Sequence, residues 1–160
     1  MPKTSAGILL YRMGENGAPD VLLVHPGGPF WRNKDANAWS IPKGAYEPGE
    51  APADAAQREF EEELGLAVPD APRADLGTVR QASGKYVRAW ALRADEFRPE
   101  TFVSNLFQME WPPKSGRHVE FPEVDRAEWR SLSEARLRLV AAQVELLDRL
   151  LSLLESEAKP

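Results

Sequence analysis

Fourteen prolines punctuate this 160-residue chain and leave only three stretches long enough for an extended helix: residues 53–68, 73–98 and 123–159. Proline has no amide hydrogen to donate and its ring clashes with the preceding turn, so helices of any length are confined to those windows. In the middle window, "LGTVRQ" and "KYVRAWALRA" flank "ASGK" with β-branched and aromatic residues, which predicts a hairpin rather than a helix. "SAGILLYR" and "DVLLVH", joined by the Gly-rich "MGENGAP", predict an earlier strand pair, and "SNLFQMEW" a later strand. The last window carries Leu146, Leu147, Leu150, Leu153 and Leu154 at helical spacing, which predicts a C-terminal helix over about 133–157. Its leucine face packs on the sheet or forms a dimer seam, so the protein is expected to be a monomer or a homodimer. Residues 26–39, "PGGPFWRNKDANAW", are too polar and turn-rich for an element and predict a long functional loop.

With 42% hydrophobic and 28% charged residues the chain is an ordinary globular protein, and its length suits one domain over 1–160. The absence of cysteine excludes disulfides, zinc–thiolate sites and thiol nucleophiles. No segment approaches the roughly 20 apolar residues of a membrane span, and the expected location is cytoplasmic. A net charge of -5 argues against nucleic-acid or membrane partners, so an anionic ligand must be met by a local basic group.

The first window contains a costly feature. Residues 59–63 hold four glutamates, and like charges three or four apart repel by a few tenths of a kcal/mol per pair. Pro52 can open a helix and Gly65 can cap it in the left-handed conformation, which predicts a helix over 52–64. At 100° per residue, Ala53, Ala56, Phe60 and Leu64 form the buried stripe, and Glu59, Glu62 and Glu63 share an adjacent face. Ala55 lies among them and is expected to leave that face open. Glutamates also decorate exposed helices without any role. Carboxylates crowded on one face, however, are what a hard divalent cation such as Mg²⁺ or Mn²⁺ takes as ligands.

The loop before the helix decides between these. Residues 44–66 match G-x5-E-x7-R-E-U-x-E-E-x-G-U at Gly44, Glu50, Arg58, Glu59, Phe60, Glu62, Glu63, Gly65 and Leu66. The chain here resembles the Nudix hydrolase family. That resemblance implies an α/β fold, an α/β/α sandwich with a mixed β-sheet, and metal-dependent hydrolysis of a nucleoside diphosphate linked to another group. It implies metal ligands at Glu59, Glu62 and Glu63, with a further one from the Gly44 carbonyl, while Glu50, Arg58 and Gly65 are structural. The water-activating base is Glu59 or Glu123. Glu123 stands six residues before Trp129, a spacing at which family members place a further metal-binding or basic glutamate.

"WSIPKG", with Trp39, Pro42 and Lys43, resembles the stretch of hydrolases acting on dinucleoside polyphosphates, and its P-K-G part that of hydrolases of diphosphoinositol polyphosphates. Lys43 is the expected phosphate contact, with Arg32 a second. Trp31, Tyr86 and Trp90 are candidates for stacking on a base. The alternatives are a hydrolase of oxidised nucleoside triphosphates and a non-catalytic nucleotide sensor on the same fold. The isoprenoid diphosphate isomerases of this fold use a cysteine, which this chain lacks. His25 and His118 make no metal pattern and are expected to be structural.

Overall fold

The computed structural model describes residues 4–158; residues 1–3 and 159–160, the ends of the span assigned to one domain, lie outside it. Strand β1 (Thr4–Met13) is central, pairing antiparallel with β2 (Pro19–Pro26) and with the short β3 (Lys43–Ala45), and parallel with β5 (Tyr86–Arg93). Strand β4 (Arg73–Arg80) continues the sheet beyond β5, and β8 (Val124–Ser131) continues it beyond β2, giving the order β4-β5-β1-β2-β8. A separate hairpin of β6 (Leu106–Glu110) and β7 (His118–Pro122) completes the strands.

The side-chain alternation of β1 divides the core. Ala6, Ile8 and Leu10 face helix α1 (Pro52–Leu64), while Leu9 and Tyr11 face the C-terminal helices on the other side. Both faces being covered explains why β1 reads as a nearly continuous apolar run. The result is the mixed-sheet α/β/α sandwich. Phe60 is fully buried beneath α1, and replacing a phenylalanine so placed with alanine costs about 3–5 kcal/mol. Helix α1 has the expected bounds, with Pro52 in its first turn and Gly65 at φ 63° donating its N–H to Glu61 O. Ala55, however, does not open a polar face. It is fully buried on the sheet, where a larger residue would hold the helix away, and Ala53 is only partly buried.

The C-terminal region departs from a single helix over 133–157. The proline-free window first spends Val124–Ser131 on strand β8. Helix α2 (Leu132–Arg138) then ends at Leu139, and α3 runs over Val144–Ala158. The break has a physical cause: Leu139 and Val140 are extended so that the Trp39 backbone can accept from Val140 N (2.9 Å) and donate to Arg138 O (2.8 Å). Leu146, Leu147 and Leu150 of α3 are fully buried against the sheet.

Candidate active site

Strand β1 sets the site's position by pairing Ala6 with Gly44 and Gly7 with Lys43. A Cβ on Gly7 would stand 2.7 Å from Pro42 O and 2.8 Å from Lys43 Cβ, so a side chain there would push β3 away. Gly44 in turn lies against α1. A Cβ on Gly44 would fall 2.0 Å from both Cδ and Oε2 of Glu59, so a bare backbone and a carboxylate are held in direct contact.

Arg58 organises the glutamates around it. Its Nε and Nη2 donate to the two oxygens of Glu50 at 2.9 and 3.0 Å, and Nη2 also reaches Ala45 O at 3.1 Å. Its Nη1 donates to Glu59 Oε1 at 2.9 Å and to Glu62 at 3.3 Å. Hydrogen bonding from Arg58 holds the Glu50 carboxyl down at about 2. Burial pushes Glu59 up, an effect that Arg58 opposes.

Glu63 is the group under most strain. Burial pushes its carboxyl up to about 8 against the opposing charge of Lys43, with Glu123 and Glu59 adding repulsion. Its Oε2 is buried without a hydrogen-bond partner, a condition that costs free energy unless something outside the chain supplies the missing interaction. Lys43 is half-buried, and desolvation pushes its ammonium down, with Glu63 opposing. Among the described residues no three carboxylates or imidazoles converge as a ready-made ion site, because Glu59 and Glu62 are turned onto Arg58.

Glu123 occupies the single residue between β7 and β8. Its N–H donates to Asn105 O (2.9 Å) and its carbonyl accepts from Gly27 N (2.9 Å), while Asn105 N donates to Glu62 O (3.1 Å). With its amide oriented to place Nδ2 toward them, Asn105 also donates to Glu123 Oε2 and to Glu62 O, both at 3.2 Å. Glu123, 59 residues beyond the end of α1, is thereby tied to the acidic face of that helix. Burial pushes the Glu123 carboxyl up, and the Glu59 and Glu62 charges push it further.

Lys43, Glu63, Glu123 and Trp31 line one cavity of about 260 Å³, together with Ser40, Gln81 and Gln143. The glutamines and Ser40 were not legible as site residues, since a glutamine in sequence looks like any surface residue. Arg32 and Tyr86 are not among the lining residues: Arg32 is exposed, and Tyr86 starts β5 with Arg80 over its ring at 6.0 Å. Trp90 does not offer a stacking face. It packs in the core beneath α1 and is covered by Arg88, which Asp75 holds at 2.8 Å. Trp39 is fully buried and donates to Asp35. His25 is likewise structural, sitting between Asp125 (2.7 Å) and Lys34 O (2.6 Å).

A family model described as the NUDIX domain matches residues 1–150. The chain belongs to the Nudix hydrolase family. An octanoyltransferase of Myxococcus xanthus is 36% identical over 119 residues, covering 74% of this chain but only 28% of its own length, so the Nudix chain spans less than a third of that relative. Among solved structures, an Ap4A hydrolase of C. elegans in a binary complex has a TM-score of 0.64 at 22% identity, covering 95% of this chain and 98% of its own. A putative Nudix hydrolase of Listeria monocytogenes has a TM-score of 0.66 at 18% identity, covering 96% and 95%. At such identities these two likenesses concern the fold. No described helix is long and apolar enough to cross a membrane.

Proposed function

We propose that the protein is a divalent-metal-dependent pyrophosphohydrolase of dinucleoside polyphosphates. The observation that carries the metal requirement is Glu63, whose carboxyl has a buried, unpartnered oxygen and feels the repelling charges of Glu123 and Glu59. All-oxygen donors crowded in this way fit Mg²⁺ or Mn²⁺ and suit softer metals poorly. Glu59, Glu62, Glu63 and the Gly44 carbonyl would hold the metal, with Glu123 at its margin. Bound there, the cation would withdraw charge from the phosphate oxygens and lower the pKa of a water ligand.

The remaining work belongs to side chains of this chain. Lys43, the only cation lining the cavity among the described residues, neutralises a phosphate oxygen and keeps the anion in register. Glu123 is the better base of the two candidates. Burial and neighbouring carboxylates raise the proton affinity of both, but Arg58 Nη1 bonds to Glu59 at 2.9 Å and opposes the rise there, whereas no arginine or lysine among the described residues bonds to Glu123. Glu123 takes a proton from water as the water oxygen bonds to phosphorus. The bridging P–O bond breaks, and its electron pair leaves on the departing phosphate.

The dinucleoside polyphosphate class is supported by "WSIPKG", whose Trp39 anchors the segment in the core and whose Lys43 faces the cavity. The solved Ap4A hydrolase of the same fold agrees with it. The test compares kcat/KM for diadenosine tetraphosphate, a nucleoside triphosphate and a nucleotide sugar, with and without EDTA. The expected result is asymmetric cleavage of the first, at the highest kcat/KM, abolished by chelation. A preference for an oxidised deoxynucleoside triphosphate would move the protein to a sanitising role.

A further inference from the structure

The cavity has two chemically different parts. Lys43, Glu63 and Glu123 form a charged cluster, and the rest of the lining carries no charge. The neutral part is built around Gln143, which is fully buried on the turn just before α3.

The amide of Gln143 can point only one way. Its Oε1 accepts from the Ile41 backbone N–H at 3.0 Å, and its Nε2 donates to Ser40 Oγ at 3.0 Å. The Ser40 hydroxyl proton is committed to Ile41 O at 2.7 Å, which leaves its oxygen free to accept. With Gln143 fixed, its Nε2 also faces Gln81 at 3.3 Å and must meet an acceptor, so Gln81 presents Oε1 to it. The Nε2 of Gln81 is then the uncommitted end of the amide: a donor on a cavity-lining residue, with no partner among the described hydrogen bonds.

We propose that this neutral part of the cavity is the subsite for one nucleobase, with Gln81 Nε2 donating to a ring nitrogen or carbonyl of the base and Gln143 acting as the positioning residue that fixes Gln81. The proposal rests on the nucleotide-hydrolase reading and deepens it by naming the group that is bound beside the scissile phosphates. Among the described residues Lys43 is the only cation lining the cavity, so this part of the lining offers a second phosphate no charge of its own. A purely apolar group would leave the Gln81 donor unsatisfied, at the usual cost of a buried polar group. At about 260 Å³ the cavity is below the size of a typical whole-ligand pocket and suits a single ring system. Trp31 lies on the same lining and is partly exposed, with Lys34 Nζ over its ring at 5.1 Å.

The test is calorimetric titration of the full chain with AMP, GMP, CMP, UMP and ribose 5-phosphate in Mg²⁺. At least one nucleotide should bind about tenfold more tightly than ribose 5-phosphate. Gln81→Leu and Gln81→Glu, on a half-buried residue whose loss leaves the core intact, should each remove that advantage and leave ribose 5-phosphate binding within about twofold. Gln143→Leu should act in the same direction through Gln81. Equal binding of nucleotides and ribose 5-phosphate by the wild type, or an equal loss of both in the Gln81 variants, would overturn the subsite. Turnover of diadenosine tetraphosphate by the same preparations keeps the two readings apart: activity without base-dependent binding removes only the subsite, and base-dependent binding without that activity removes only the substrate assignment.

Discussion

Arg58 and Glu50 meet through two parallel hydrogen bonds, Nε to Oε2 and Nη2 to Oε1, while the remaining nitrogen of the same guanidinium holds Glu59 and Glu62. One planar cation therefore sets the relation between the loop and the acidic face of α1. A lysine cannot span this fork. Arg58→Lys should lower the thermal midpoint by about 3–8 °C, the equivalent of roughly 1–2 kcal/mol in a domain of this size, and reduce kcat at least tenfold. Calorimetry and steady-state kinetics check the two parts.

Gly44→Ala separates activity from stability. The new methyl would overlap Glu59 Oε2, which ends a flexible side chain and can swing aside, so the fold should survive with its thermal midpoint within a few degrees. The carboxylate would no longer sit where the wild type holds it, and we expect kcat/KM to fall by about 100-fold or more. A stable variant with full activity would show that Glu59 need not be in contact with residue 44.

Glu63 makes stability depend on pH in the absence of divalent metal. Its carboxyl is raised from the ordinary 4.5 to about 8, so the folded state favours the protonated form. The associated stabilisation is full below about pH 4.5 and is lost as pH rises through about 8. In EDTA the thermal midpoint should therefore fall between pH 5 and pH 8.5, and Glu63→Gln should flatten that slope. Added Mg²⁺ should raise the midpoint most at the alkaline end, where the ion competes with the fewest protons. The same variant should lose about 10³-fold in kcat.

Glu123 should stand apart from its acidic neighbours. Glu123→Gln is expected to lower kcat by at least 100-fold with little change in midpoint, while Glu120→Gln and Glu128→Gln stay near the wild type. Asn105→Ala should weaken kcat about tenfold and leave KM nearly unchanged, because Asn105 touches Glu123 and Glu62 O, not the cavity. Loss of activity in Glu120→Gln with Glu123→Gln active would transfer the role to Glu120.

Local signals made part of this protein legible from sequence. Pro52 and Gly65 bracket α1 because both act on the backbone where they stand, and the glutamate spacing follows from the helix between them. What lay hidden depends on contacts distant in sequence. The helical leucines carry no sign that Trp39 would interrupt the helix at Leu139, and "EVDRAEW" is too polar to declare itself the strand that closes the sheet beside β2. Ala55 misled because a small residue suits both an open face and a tight one, and only the sheet beneath it decides. Gln81 and Gln143 lie 62 residues apart, and their pairing exists only after folding.

The parallel pairing of β1 with β5 has a kinetic consequence. These strands are neighbours in the sheet, yet the chain between them runs through β2, the long loop, β3, α1 and β4, so the whole signature lies inside one large crossover. Closing such a loop demands its entropy before the contacts return it, which makes this kind of pairing slow. Gly44 and Glu59 reach their contact only when β3 docks on β1 and α1 packs over it. A partly folded chain can hold its hairpins and its helices and still have no site.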